Sequence, residues 1–100
     1  MTVHKALLAR LEAKPGKEAA VRDLLVGAVA LANQEARTTV WFALQFGPST
    51  FGVFDAFADE EGRQAHLNGA IAQALMSKAP DLLAQPPEIK PVDVLAAKLT

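Results

Sequence analysis

The chain has 100 residues, of which 51% are hydrophobic, and a formal net charge of −1 from ten basic and eleven acidic side chains. This length fits one domain over residues 1–100, the scattered charges argue against nucleic-acid binding, and the absence of cysteine excludes disulfides and thiolate chemistry. We find neither a signal peptide nor an apolar run of membrane-spanning length, and therefore expect a cytoplasmic protein that does not enter a membrane.

The first strand is predicted from Val3 to Leu11, where apolar residues alternate along one face and also fill the middle of the other. Lys14-Pro15-Gly16 ends this strand, and proline suits the first turn of a following helix. We expect that helix to reach about Asn33, because apolar residues recur at helical spacing and form one stripe. The members of the stripe are Val21, Leu24, Leu25, Ala28 and Leu31 or Ala32.

Two further strands form a hairpin in the middle of the chain. Residues 38–46 are β-branched and aromatic, which favours a strand, and residues 51–57 return after the turn at Gly47-Pro48. Asp59 is a good N-cap for a second helix, and Gly69 is expected to break or bend that helix.

The C-terminal part of the chain predicts a short turn and a last strand. Pro80 is expected to begin the turn, and the strand is expected to run from about Ile89 to Leu99. Pro91 lies within that strand, and a proline is tolerated best on an edge strand.

The resulting order, β-α-β-β-α-β, predicts a ferredoxin-like α+β fold. Its four-stranded antiparallel sheet has strand order 4-1-3-2, with both helices on one face. The uncovered face should be polar, yet the second strand is apolar on both sides, with Trp41 and Ala43 on one and Val40, Phe42, Leu44 and Phe46 on the other. The sequence does not tell which of the two sides the helices cover. An apolar patch of this size is a liability in a monomer. We therefore predict a homodimer in which two such faces stack.

Residues 54–60 and 62–67 carry a family resemblance. A strand ending in a carboxylate and an aromatic side chain, Asp55 to Phe57, runs into an acidic helix start and then a histidine. This arrangement resembles the antibiotic-biosynthesis-monooxygenase (ABM) domain, as do the Lys14–Lys17 helix start and the apolar last strand. The resemblance implies a dimeric α+β barrel. It also implies small aromatic substrates, such as quinols or anthrones, that some members oxidise with O2 and without metal or flavin.

Other members of that family degrade haem with an asparagine, a tryptophan and a histidine. Phe57 stands here where those members have tryptophan, and the first strand contains no asparagine. An iron site built on His4, His66 and a carboxylate has no paired-ligand spacing to support it. We therefore expect neither metal nor cofactor.

His66 and Asp55 are the candidate catalytic residues. The unperturbed pKa of histidine suits proton transfer near neutrality, and a carboxylate among Phe51, Val53 and Phe57 is costly unless it is paired or protonated. The structural alternatives remain open. His66 can be satisfied by a carbonyl or solvent, and Asp55 by Lys5, Arg10, Arg63 or a cation from a partner subunit.

Trp41, Phe57 and Asn68 are the candidate substrate-binding residues. Trp41 offers a flat wall and an N–H donor to an aromatic ligand; the alternative, which is the commoner role of a tryptophan, is a large core or interface residue. Asn68 is a possible orienting amide, as is Gln45, with surface positions as the alternative for both.

Two functions follow from these observations. The first is a cofactor-independent monooxygenase that oxidises a quinol-like or polyphenolic aromatic with O2, its base being His66 or Asp55. The second is a non-catalytic dimeric module that binds a small hydrophobic ligand or serves in a stress response. The scarcity of proton carriers favours the second, because the chain has two histidines and no tyrosine or cysteine.

Overall fold

The computed structural model describes residues 2–99 and confirms the predicted fold class. Four strands form one antiparallel sheet; numbered along the chain, they lie side by side in the order 2-3-1-4, which is the predicted order read from the other edge. The elements are β1 (Lys5–Glu12), α1 (Glu18–Ala32), β2 (Thr38–Gln45), β3 (Thr50–Phe57), α2 (Glu60–Leu67), α3 (Ala70–Leu82) and β4 (Glu88–Asp93).

The second helical region is divided into α2 and α3, as its sequence predicts. Asp59 caps α2 by accepting a hydrogen bond from the Gly62 amide at 2.9 Å. Gly69 has an extended backbone and stands immediately before α3. The division turns the chain between the two helices, so that α2 and α3 pack on different parts of the sheet.

Two predicted boundaries at the C-terminal end are wrong. Pro80 lies inside α3 and begins no separate turn. The helix continues past it because the Leu83 amide still donates to the Ala79 carbonyl, and Lys14 Nζ donates to the Pro80 carbonyl at 2.6 Å. The last strand ends at Asp93, not at Leu99, because its ladder ends at Lys5, the first residue of β1; beyond it the Val94 amide donates to the His4 carbonyl.

The helix-covered face of the sheet holds the main core. Residues that pair directly point to the same side of an antiparallel sheet, so Leu7, Asp55 and Trp41 form one row across β1, β3 and β2. The next two rows of the same face, towards the hairpin turn, are also buried. They pack against α1 and the end of α3, in a cluster made of Ala9, Leu11, Phe51 and Val53 from the sheet, Val21 and Leu25 from α1, and Ala79 and Leu83. Asp55 is thus a charged residue in the middle of an apolar layer.

The opposite face of the sheet is apolar, as predicted; it is buried around Ala6 and Ala56 and open towards the hairpin turn. We call it the open face; it includes Val40, Phe42, Leu44 and Phe46 of β2 and its turn, with Leu8 of β1 and Phe54 of β3. The side chains of Phe42 and Phe46 are 54% and 57% exposed. The ring of Phe46 lies against Gly52, where an added Cβ would stand 2.7 Å from a ring carbon. Glycine at this position therefore lets an aromatic ring lie flat on the sheet.

None of the helices within residues 2–99 combines the length and the apolar character needed to cross a bilayer.

Candidate active site

His66 is held between two carboxylates from different parts of the chain. Its Nδ1 lies 2.7 Å from Oε1 of Glu35, in the connection between α1 and β2, and its Nε2 lies 2.9 Å from Oδ2 of Asp55, in β3. The side chains of His66 and Asp55 are only 8% and 3% exposed. We call Glu35, His66 and Asp55 the buried triad.

The buried triad favours the charged form of the imidazole. Burial of the ring lowers the pKa of His66, but hydrogen bonds and charge interactions with Asp55 and Glu35 outweigh it and raise the pKa to about 9. Near neutral pH the ring is therefore an imidazolium that donates from both nitrogens.

Asp55 uses only one of its two carboxylate oxygens. Oδ2 accepts from His66, whereas Oδ1 is buried and has no hydrogen-bond partner within residues 2–99. Asp55 and His66 both line a small inner cavity of about 60 Å³ whose other walls are apolar, among them Leu7, Val53, Ile71 and Leu75. A buried acceptor of this kind is costly unless a ligand or water donates to it.

An apolar groove between α1 and α3 adjoins this inner cavity. The groove has a volume of about 300 Å³, and Val53, Ile71 and Leu75 line both spaces. A flat apolar molecule in the groove would therefore contact Val53, Ile71 and Leu75, which also line the inner cavity beside Asp55. Other walls of the groove are Leu24, Ala28 and Leu31.

A polar cleft lies on the other side of the His66 ring. We call it the outer cleft; it has a volume of about 270 Å³, and Glu35, Arg37, Thr38 and His66 are among the residues that line it. Asp55 lines only the inner cavity and Glu35 lines only the outer cleft. The imidazole of His66 thus separates the two spaces.

The structure brings four of the five predicted site residues together. His66 contacts Asp55, the Phe57 ring centroid lies 5.4 Å from that of His66, and Trp41 stands directly opposite Asp55 in the sheet. Trp41 packs near Ala28, Ala32 and Ile71, and its buried Nε1 has no acceptor among the described residues. Asn68, by contrast, is an exposed residue at the C-terminal end of α2. Trp41, Phe57 and Asn68 are all absent from the walls of the two spaces.

The proposed pairing of Asp55 with a lysine or arginine of this chain is wrong. Lys5 pairs with Asp93 at 2.9 Å. The buried guanidinium of Arg63 pairs with Glu60 and donates to two backbone carbonyls, those of Ala6 and Val92. These contacts fasten α2 to β1 and β4 and thereby place His66, one turn later, over Asp55.

Sequence reasoning missed Glu35. It lies in a short connection without hydrophobic periodicity, and no spacing relates it to His66, which is 31 residues away. Its carboxylate is fixed by Thr38, whose hydroxyl donates to Oε1 at 2.7 Å. The one available signal was an acidic residue three positions before the second strand, and that signal is weak.

Within residues 2–99, no group of three or more histidine, aspartate or glutamate side chains is arranged to hold a metal ion. The two carboxylates of the buried triad meet opposite edges of one ring and so do not converge on a point. The other histidine, His4, contacts the carbonyl of Ala58 at 3.0 Å.

The chain is similar to several solved structures. It is 66% identical to a protein of unknown function from Nitrosomonas europaea, NE2512, with a TM-score of 0.97 over 99% of this chain and 96% of that one. This chain belongs to the same family as NE2512. No model of a protein family matches the chain, and no curated protein matches it either.

Two more distant structures share the fold. A candidate antibiotic biosynthesis monooxygenase from Nitrosomonas europaea gives a TM-score of 0.82 at 17% identity, over 92% of this chain and 99% of that one. Another from Caulobacter crescentus gives a TM-score of 0.79 at 16% identity, over 95% of this chain and 92% of that one. The predicted resemblance to ABM domains is thus confirmed at the level of the fold.

Proposed function

We propose that this protein is a cofactor-independent monooxygenase that oxidises a small phenolic aromatic, quinol-like or polyphenolic, with O2. The observation that carries the proposal is the unpartnered Oδ1 of Asp55, a buried acceptor whose other oxygen is fixed by His66. The fold is that of two candidate monooxygenases, which makes this class of reaction the first to test.

The first chemical step is proton transfer to Asp55. A phenolic hydroxyl presented at the inner cavity donates to Oδ1, and the carboxylate accepts its proton as a general base. His66, donating to Oδ2, keeps the carboxylate in one orientation. The products of this step are an aromatic anion and a protonated Asp55.

The aromatic anion then reduces O2 itself. One electron passes to O2, the radical pair joins through a new C–O bond, and the resulting peroxide takes up a proton and breaks its O–O bond. For a substrate whose oxidised carbon is a CH2 group between aromatic rings, the enol tautomer carries one of the two methylene hydrogens as the phenolic proton that Asp55 takes, so the anion binds O2 at a carbon that keeps one C–H. The hydroperoxide, completed by the proton returned from Asp55, then loses that C–H as its O–O bond breaks, and CH2 has become C=O. The second oxygen leaves as water with both hydrogens, so no external reductant is needed. The apolar walls keep water from the reactive pair.

Trp41 and Phe57 are proposed to shape the substrate space. Trp41 is opposite Asp55 and packs against Ile71, which lines both the groove and the inner cavity, so it supports the wall that an aromatic substrate would meet. Phe57 packs against the His66 ring and limits its movement.

We also propose that the functional unit is a homodimer. The open face exposes Leu8, Phe42 and Phe46, whereas the helices cover only the other side of the sheet. Stacking two open faces removes this apolar surface from water and leaves one buried triad in each subunit.

A non-catalytic module that binds a small hydrophobic ligand is the second candidate. The inner cavity of about 60 Å³ is far below the roughly 300–1,000 Å³ of ordinary ligand sites. A ligand would then occupy the groove between α1 and α3 alone, without reaching Asp55.

Oxygen uptake by metal-stripped protein, supplied with hydroquinones and anthrones, distinguishes the two candidates. If the protein is a monooxygenase, the wild type consumes O2 in proportion to the substrate that it oxidises. Asp55→Asn then consumes no O2 above background, and the control Asp93→Asn, at an exposed carboxylate, consumes as much as the wild type. If wild-type protein consumes no more O2 than Asp55→Asn while these aromatics raise its melting temperature, the binding module is the correct function.

A further inference from the structure

We infer that Glu35 is a positioning residue that keeps the His66 ring protonated on both nitrogens, so that the ring holds Asp55 ready to act as the base. The inference rests on the proposed function, because it concerns how Asp55 is prepared for that reaction. It adds a residue to the site that no feature of the sequence singled out.

The first step concerns how many N–H groups the His66 ring needs in order to donate to both of its neighbours. Both ring nitrogens face a carboxylate oxygen, at 2.7 Å for Glu35 and 2.9 Å for Asp55. A neutral imidazole carries one N–H and can donate to only one of them. Both contacts are charge-assisted hydrogen bonds only when the ring is an imidazolium.

The second step concerns how firmly Glu35 is held. Its Oε1 accepts from both His66 and Thr38, its amide donates to the Ala32 carbonyl, and its own carbonyl accepts from the Thr38 amide. Its other oxygen lies against Gly69, where an added Cβ would stand 3.3 Å away. The carboxylate is therefore fixed before any substrate binds.

The third step identifies the charged groups around the ring. Asp55 faces it from β3 and Glu35 from the connection before β2, while Phe57 contributes an uncharged ring. Arg63, one turn earlier on α2, is turned towards Glu60 and the backbone. The two carboxylates thus set the protonation of His66, and Glu35 is the one that does not line the inner cavity.

The experiment is a titration of the His66 ring by NMR in wild type and Glu35→Gln. The glutamine can still accept a hydrogen bond but carries no charge. We expect the pKa of His66 to fall by at least about one unit, and kcat to fall about tenfold or more with KM changed less than about twofold. Glu61→Gln, at an 81% exposed carboxylate that pairs with Arg37, should leave both values unchanged.

Glu35→Ala provides a test by rescue. The truncation leaves space beside Nδ1 in the outer cleft, which small carboxylates can enter from solvent. Added formate should restore both the pKa of His66 and turnover in Glu35→Ala, and should restore neither in Asp55→Ala. Thr38→Val, which removes only the hydroxyl that orients Glu35, should lower the pKa in the same direction by a smaller amount.

An unchanged His66 pKa in Glu35→Gln and Thr38→Val would overturn the inference. So would turnover that survives Glu35→Gln intact. If no variant and no wild-type sample consumes O2, the proposed function fails, but the ring titration still decides the role of Glu35. The two failures are therefore distinguishable.

Discussion

The Nε2 atom of His66 lies 2.9 Å from Oδ2 of Asp55, and both side chains are almost entirely buried between α2 and β3. Removing one member of a buried pair leaves the other with an uncompensated polar or charged group. The contact therefore links the stability of the fold to the chemistry proposed for it.

Replacing Asp55 by asparagine should show separately how much Asp55 contributes to the proposed reaction and to the stability of the fold. We expect oxygen uptake to fall at least about 100-fold, because the base is lost, and the free energy of unfolding to fall by about 3 kcal/mol. Initial rates and urea denaturation measure the two effects. Asp93→Asn, the matched surface change, should show neither, and equal losses in both variants would contradict the role of Asp55.

Stability should decrease as the pH rises through the alkaline range. The pKa of His66 is raised from 6.5 to about 9 in the folded protein, so its contribution is complete below about pH 6.5 and is lost as the pH passes about 9. The expected loss is about 3 kcal/mol, since one pKa unit corresponds to about 1.4 kcal/mol. Denaturation curves from about pH 6 to about pH 10 measure it, and His66→Gln should remove this part of the slope. A wild-type profile as flat as that of the variant would rule the prediction out.

Two glycine substitutions should act in opposite directions. A methyl group at Gly69 would stand 3.3 Å from the Glu35 carboxylate and from two backbone carbonyls. Gly69→Ala should therefore displace Glu35, lower the pKa of His66 and lower the free energy of unfolding by about 1 kcal/mol.

An added methyl at Gly27 in α1 meets nothing within 4 Å, and Gly27→Ala should raise the free energy of unfolding by about 0.5–1 kcal/mol, because alanine favours the helix. Thermal unfolding together with the NMR titration gives both results. Equal stabilisation by the two changes would show that Gly69 has no role in holding Glu35.

A charge on the open face should dissociate the proposed dimer. Phe42 is 54% exposed on that face, and Phe42→Glu would place a carboxylate where two sheets are expected to stack. Sedimentation velocity should then report a monomer. Val29→Glu, on the exposed side of α1, should leave the dimer intact. A monomeric wild-type protein at working concentration would exclude the dimer itself.

The element order and the two apolar faces of the sheet were predictable because both follow from local signals. Alternation along residues 38–46 and 51–57 sorts the side chains into two faces, without telling which face the helices cover. The observed register follows this alternation from Val40 onward, with an irregularity between Thr38 and Val40. The end of β4 was not predictable in the same way, because a strand ends where its partner does. After Asp93 the Val94 amide still donates to the His4 carbonyl at 3.0 Å, but the next apolar side chain, Leu95, is 93% exposed.

The candidate site was predictable only in part. Asp55 and His66 were identified separately, Asp55 by its apolar neighbours and His66 by its scarcity, and their contact depends on how α2 is placed over β3. That placement is set by Arg63 and its bonds to backbone carbonyls, which no pattern in the sequence records. Glu35 was missed for a related reason, since a loop residue acquires its neighbours only from the folded chain.

The break at Gly69 affects the electrostatics of His66 as well as the path of the chain. Because α2 ends at Leu67, His66 belongs to its last turn, where the aligned peptide dipoles leave partial negative charge on the terminal carbonyl groups. A cation is favoured at that end of a helix. If α2 and α3 were one uninterrupted helix, His66 would lie in its middle and lose this dipole contribution, and the imidazolium would depend on the two carboxylates alone.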